Sequence, residues 1–310
     1  MGTRYFINGF LEAGKTTFIQ GLLASDYFQL DGRTLLIVCE EGNSSYDPEL
    51  LEKARVDLVW IEEEEEFTEE KLTSLEKEYR PERVMIEFNG MWDRRKIIWP
   101  WYWDNITEVA VLDATTFRLY SENMRSLLAE QVRNAWVIQF YRSDEKREEL
   151  ASYARNIRAM NPKCNFLFKG KDGDIFLSMN EMLPYDLASD DLCLDDEGFA
   201  VFCLDALERK EVYAGKKVHF IACAHHMKDG SEMEFIAGRK VMTCCEADMT
   251  FAGIICNYFK AYEIPDRQWV QIDGIVRISF DEVMQHEVPV CRVTNLTYID
   301  SPKEPVISFL

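Results

Sequence analysis

Residues 9–17 read G-F-L-E-A-G-K-T-T, a match to the pattern G-x-x-x-x-G-K-[ST]. No other stretch restricts the fold so tightly, because the pattern needs a strand before it and a helix after it. The flanks comply: residues 4–8 (R-Y-F-I-N) are a strand-type apolar run, and residues 18–23 (F-I-Q-G-L-L) suit a helix. Gly9 and Gly14 let the backbone bend, so that the N–H groups of Glu12, Ala13, Gly14, Lys15, Thr16 and Thr17 can face phosphate oxygens. The helix starting near Lys15 adds its positive end. The motif gives Lys15 the β- and γ-phosphates of a nucleoside triphosphate, and gives the Thr16 hydroxyl a Mg²⁺ ion.

A chain of 310 residues has room for a second domain. Its first 165 or so residues alternate strand and helix signals. Strands are expected at 34–39, 57–61, 83–88, 108–112, 135–140 and 164–168, and helices at 68–79, 116–132 and 144–160. This is an α/β pattern: a P-loop NTPase domain whose mostly parallel sheet is flanked by helices. Residues 169–193 turn loop-like and acidic and are read as a linker between a domain at 1–168 and another at 194–310. In the second, one helix (197–213) precedes strand signals at 217–224, 234–245, 251–259, 268–280 and 288–299. The run W-V-Q-I-D-G-I-V-R-I alternates with period two around a glycine, which suits a coiled strand of a small OB-like β-barrel.

Charge narrows the function classes. A net charge of −20 repels nucleic acid and anionic membranes, and the barrel offers no clustered Lys/Arg for a single strand. No run of about 18 apolar residues is present, so no membrane insertion is expected. The first strand signal follows the N-terminus without room for a signal peptide, so the expected location is cytoplasmic, with the nine cysteines mostly reduced.

Further motifs give the phosphate loop a family setting. G-F-L-E-A-G-K-T-T-F-I resembles the opening of CobW-type GTPases, the group that includes UreG and HypB. I-V-C-E-E-G at 37–42, M-I-E-F-N-G at 85–90 and A-E-Q-V-R-N-A at 129–135 resemble later motifs of that family, in order. The resemblance implies Mg²⁺-dependent GTP hydrolysis coupled to metal delivery or metal homeostasis. The alternative is a nucleotide-dependent regulatory or assembly subunit without significant turnover. Glu87 ends an apolar strand, where its carboxylate can hold a Mg²⁺-bound water, and the Gly90 N–H can face the γ-phosphate. Glu40 and Glu41 compete with Glu87 for that role, and Asp47 fits the first switch loop.

Two departures from the family stand out. Its C-x-C-C metal motif is replaced by W-I-E-E-E-E-E-F, whose hard carboxylates do not reproduce a thiolate site. Its guanine-reading N-K-x-D is replaced by Tyr141-Arg142-Ser143-Asp144. Asp144 is in place for the guanine N1 and N2 protons and Arg142 for stacking over the base, whereas Tyr141 loses the asparagine's contact. GTP is favoured, with ATP left open. Trp92, Trp99, Trp101, Tyr102 and Trp103 crowd one loop after Gly90 and read either as a partner surface or as rings packed inside the protein.

The C-terminal half, with T-C-C-E-A-D, W-V-Q-I-D-G and I-D-S-P-K-E-P, is similar to the C-terminal domain of YcgQ-type proteins, which implies work beside a permease component. Cys223 and His225 share a strand parity. With Cys244 and Cys245 they form a candidate transition-metal set suited to zinc, the alternative being ordinary core thiols.

Overall fold

The computed structural model describes residues 2–39, 45–226, 232–243, 249–281 and 285–309. The chain forms two compact units, Met1–Phe176 and Leu177–Leu310.

The first unit contains β1 (Thr3–Asn8), α1 (Lys15–Ala24), β2 (Thr34–Val38), α2 (Pro48–Lys53), β3 (Val56–Trp60), α3 (Glu69–Tyr79), β4 (Arg83–Glu87), β5 (Ile106–Asp113), α4 (Phe117–Asn123), α5 (Arg125–Val132), β6 (Val137–Tyr141), α6 (Leu150–Met160), β7 (Asn165–Gly170) and β8 (Gly173–Ile175). The strand order is β3-β2-β4-β1-β5-β6-β7-β8. Every pairing is parallel except that of β8, which folds back antiparallel on β7. Strand β2 (T-L-L-I-V) is buried at every position, as a strand covered on both faces must be. One face carries Phe6, Leu35, Ile37 and Ile86, and the other Ile7, Leu36, Val38 and Met85. Because these strands run parallel, their carboxyl ends gather at one edge, where such sheets bind ligands.

Helix starts follow local chemistry. Asp47 caps α2 by accepting from the Glu49 N–H, with Pro48 at the first helical position, and Thr68 caps α3 by accepting from the Lys71 N–H. The single helix expected at 116–132 breaks at Met124, because the Ser121 hydroxyl and the Asn123 amide donate to the Arg118 and Leu119 carbonyls and compete with the backbone ladder. The helix expected from 144 starts at Leu150, after a 3₁₀ turn at Ser143–Lys146.

Most of the tryptophan loop packs inward. Trp103 is buried in the Phe6 cluster, and Trp92, Trp99 and Tyr102 lie partly buried against it. Arg4 stacks 5.0 Å from the Trp103 ring and pairs with Glu76, which accepts the Trp103 indole N–H at 2.9 Å. Trp101 alone of these rings stands in solvent.

The second unit contains β9 (Asp191–Cys193), α7 (Asp196–Glu208), α8 (Lys210–Tyr213), β10 (Lys217–His225), β11 (Glu234–Met242), β12 (Met249–Asn257), β13 (Trp269–Asp281), β14 (His286–Tyr298) and β15 (Val306–Ser308). The segment read as a linker therefore contributes β8 to one sheet and β9 to the other. Strands β10, β11, β12, β14 and β13 close into a five-stranded barrel, in which β10 pairs with both β11 and β13 and β12 runs parallel to β14. The bend in β13 is a register shift at Asp273/Gly274, where a Cβ on Gly274 would lie 2.2 Å from the Cys291 sulfur. The helix expected over 197–213 breaks at Arg209, whose guanidinium folds back onto Asp205 and reaches Asn180. Among the described residues no helix is long and apolar enough to cross a membrane.

On the barrel wall His219 bridges two carboxylates, with Nε2 2.7 Å from Asp191 and Nδ1 2.8 Å from Asp273. Asn295 donates to the second oxygen of Asp273 at 3.0 Å. The hydrogen bond to Asp273, aided by the charge of Asp191, raises the His219 pKa above 6.5. A raised folded-state value stabilises fully below the unfolded pKa of about 6.5 and is lost as pH rises through the folded value. Thermal melts from pH 6 to 9 are expected to show a gradual loss of stability that His219→Gln flattens. An unchanged slope in the variant would refute the assignment.

Candidate nucleotide-binding site

The 9–17 loop leaves β1 at the sheet's carboxyl edge and enters α1. Gly14, which precedes the first helical residue, has φ 102°, and Phe18 N–H donates to its carbonyl at 2.9 Å. A side chain there would be strained, and its Cβ would meet the Tyr141 ring at 2.9 Å. Ala13 is buried and its N–H donates to Phe10, while Glu12 and Thr17 stay exposed. Lys15 is 3% exposed, and its ammonium donates to the Gly9 and Phe10 carbonyls at 2.8 and 2.9 Å. The cation is thus stored inside the loop that the motif assigns to phosphate.

Glu87, at the end of β4, is buried and faces the same loop. The Thr16 hydroxyl donates to one of its carboxylate oxygens at 2.8 Å, and the Tyr46 hydroxyl donates to the other. Burial, then the charge and hydrogen bond of Glu87, raise the Tyr46 pKa far above its usual value, so the phenol stays a donor. These are hard oxygen donors, a set suited to Mg²⁺. Asp47, a candidate for the first switch loop, caps α2, and its neighbour Tyr46 makes the contact to Glu87. Glu40 and Glu41 lie outside the described residues.

Gly90 sits against the loop from behind. A Cβ on it would lie 2.1 Å from the Gly9 carbonyl oxygen, and its own carbonyl accepts from Gln131 Nε2 at 2.9 Å. Gly90→Ala is therefore expected to displace Gly9 and weaken triphosphate binding by about tenfold or more, read by titration with a fluorescent nucleotide. Wild-type affinity in that variant would disprove the close approach.

The family model described as CobW/HypB/UreG, nucleotide-binding domain, matches residues 3–168. The chain belongs to the CobW/HypB/UreG family. The DUF1980 C-terminal domain model matches residues 173–308. Among solved structures, the hydrogenase maturation factor HypB from Archaeoglobus fulgidus is 13% identical, over 55% of this chain and 82% of that one, with a TM-score of 0.43. The Zn(II)-bound YjiA GTPase from E. coli is 15% identical over 98% of this chain and 92% of that one, with a TM-score of 0.38. HypB from Helicobacter pylori, in complex with nickel, is 13% identical over 55% and 80%, with a TM-score of 0.36. No curated protein matches the chain.

Within this CobW/HypB/UreG domain, Arg142 and Asp144 follow β6 but are engaged by the protein itself. Arg142, at φ 53°, donates to the Glu12 carbonyl at 2.8 Å and pairs with Asp113 at 2.5 Å. Burial pushes the Asp113 carboxyl up, but hydrogen bonds from Arg142 and Thr115 outweigh it and hold the group below its usual value. Asp144 accepts from the Lys171 N–H at 3.1 Å. Asp113 was not among the sequence candidates. Its only signal is an acid ending an apolar strand, V-L-D-A.

In the second unit Cys223 and His225 both lie on β10, where burial raises the thiol and lowers the imidazole. The His225 ring stands edge-on to Phe251 at 5.2 Å. Cys244 and Cys245 fall outside the described residues, and among the described residues no group of three or more His, Cys, Asp or Glu side chains is arranged to hold a metal ion.

Proposed function

We propose that the chain is a Mg²⁺-dependent GTPase whose cycle serves metal-ion delivery or homeostasis. The observation that carries this reading is the convergence of Lys15, Thr16 and Glu87 on one loop mouth, each within hydrogen-bond reach of a group it would exchange for ligand. On binding, the Lys15 ammonium leaves the Gly9 and Phe10 carbonyls for β- and γ-phosphate oxygens. Thr16 would hold the metal directly and Glu87 through a bound water, and the ion supplies charge neutralisation between those phosphates. Tyr46 and Gly90, on the two segments that meet Glu87 and Gly9, would be ordered around the γ-phosphate and released after hydrolysis.

Asp144 would accept the guanine N1 and N2 protons after releasing Lys171, with the Arg142 stem over the base. Family membership supports GTP and a metal cargo. The C-terminal domain is the part that would meet a metal-dependent client or a permease component in the cytoplasm.

Titration of the purified protein with GTP and ATP in Mg²⁺, followed by single-turnover hydrolysis and metal analysis, tests the reading. Preferential GTP binding, with hydrolysis reduced in Glu87→Gln, is expected. Equal affinity for ATP would overturn the base assignment, failure to hydrolyse either nucleotide would overturn the GTPase, and protein that never carries metal would overturn the cargo.

A further inference from the structure

The acidic 3₁₀ turn at Glu64–Glu66 and the segment that follows Gly90 enclose a groove of about 210 Å³. Its floor is aromatic: Phe67 meets Phe88 edge to face at 5.4 Å, and Trp92 stands edge-on to Phe88 at 5.6 Å. Its rim is acidic. Glu64 accepts the Asp93 N–H at 3.1 Å and pairs with Lys96 at 3.3 Å, and Asp93 pairs with Arg95 at 2.8 Å. Glu65 also lines the groove and has no ion pair among the described residues.

We propose that this groove receives an arginine side chain presented by a partner protein. The volume is smaller than the roughly 300 Å³ at which pockets for drug-sized ligands begin and is large enough for one long side chain. Aromatic rings lining a groove together with an unneutralised carboxylate attract a cation, and a guanidinium, being planar and weakly hydrated, leaves water for such a site more readily than an ammonium. The Lys96 ammonium lines the same groove and already holds Glu64, so an incoming guanidinium would pair with Glu65. A chain of net charge −20 also draws basic partners toward it. The floor residue Phe88 directly follows Glu87, so an occupant would press on the segment that carries the candidate Mg²⁺ carboxylate. The inference goes beyond the GTPase reading and does not require it.

The test uses nucleotide-free, fluorotryptophan-labelled protein followed by fluorine NMR, with the Trp92 signal assigned through Trp92→Phe. N-acetylarginine amide is titrated beside its neutral isostere N-acetylcitrulline amide, and beside MgCl₂ and ZnCl₂. The expected result is a saturable shift of the Trp92 signal with arginine, about tenfold weaker or absent with citrulline, and weakened about threefold by Glu65→Gln. An unmoved Trp92 signal, equal response to citrulline, or indifference to Glu65→Gln would overturn the proposal. So would tighter saturation by either metal ion, which would make the groove a cation site. Because nucleotide is absent throughout, failure of the GTPase reading leaves this result unaffected.

Discussion

Replacing Lys15 by alanine is expected to weaken triphosphate binding by about a hundredfold, equivalent to about 3 kcal/mol. The ammonium is buried and donates to the Gly9 and Phe10 carbonyls of its own loop, at 2.8 and 2.9 Å. It is held at the place where phosphate oxygens would replace those carbonyls, so removing it subtracts a charge-assisted contact from the bound state. The Gly9 and Phe10 carbonyls, both in buried residues, each lose a donor, so the melting temperature should also fall, by a few degrees. Fluorescent-nucleotide titration and calorimetric melting of the same preparation separate the two effects. Undiminished GTP affinity would mean that the loop is not the phosphate site. A collapsed melting transition would mean that Lys15 supports the fold. Thr16→Ala should behave differently, because its hydroxyl meets Glu87: binding without Mg²⁺ is expected to survive while the gain on adding Mg²⁺ shrinks.

Sequence reasoning reached furthest where one physical requirement acts locally. The glycine spacing of the 9–17 loop fixes its own backbone, and fully apolar strands such as T-L-L-I-V can only be buried on both faces. The alternation around Gly274 anticipated both the barrel and its bend, because a coiled strand needs a residue without a Cβ against Cys291. What escaped was decided by partners distant in sequence. Nothing in the polar run around Tyr46 says that its hydroxyl meets Glu87, 41 positions away. Asp113 and Arg142 pair across the ends of β5 and β6, which become neighbours only once the sheet forms. The helix breaks at Met124 and Arg209 come from side chains that bond to nearby carbonyls or to Asp205, an effect that apolar periodicity does not register. The tryptophan loop is intermediate: its composition marked it as unusual, but the packing of β4 and α3 sends Trp103 inward and leaves Trp101 out.

Asp196→Ala is expected to destabilise the second unit by about 3 kcal/mol, the largest stability change among the substitutions considered. The cause is the partner that remains. Arg239, on β11, is almost completely buried, at 1% side-chain exposure, and its guanidinium is divided between the Asp196 carboxylate and the Glu304 carbonyl, with Trp269 5.5 Å from it. Its Nε already lacks a hydrogen-bond partner. Without Asp196 a charge would stay in the barrel wall with one carbonyl to answer it, a loss that water at the half-exposed Asp196 position only partly offsets. The first turn of α7 would also lose an acid that favours the helix dipole. The double variant Asp196→Ala/Arg239→Met removes the charge as well as its partner, and an apolar replacement of similar length can restore what the single variant loses. Denaturant melts of wild type, both single variants and the double variant complete the cycle. Recovery of half or more of the stability in the double variant is expected. If the two losses simply add, the damage in Asp196→Ala comes from α7, and the buried guanidinium does not depend on its carboxylate.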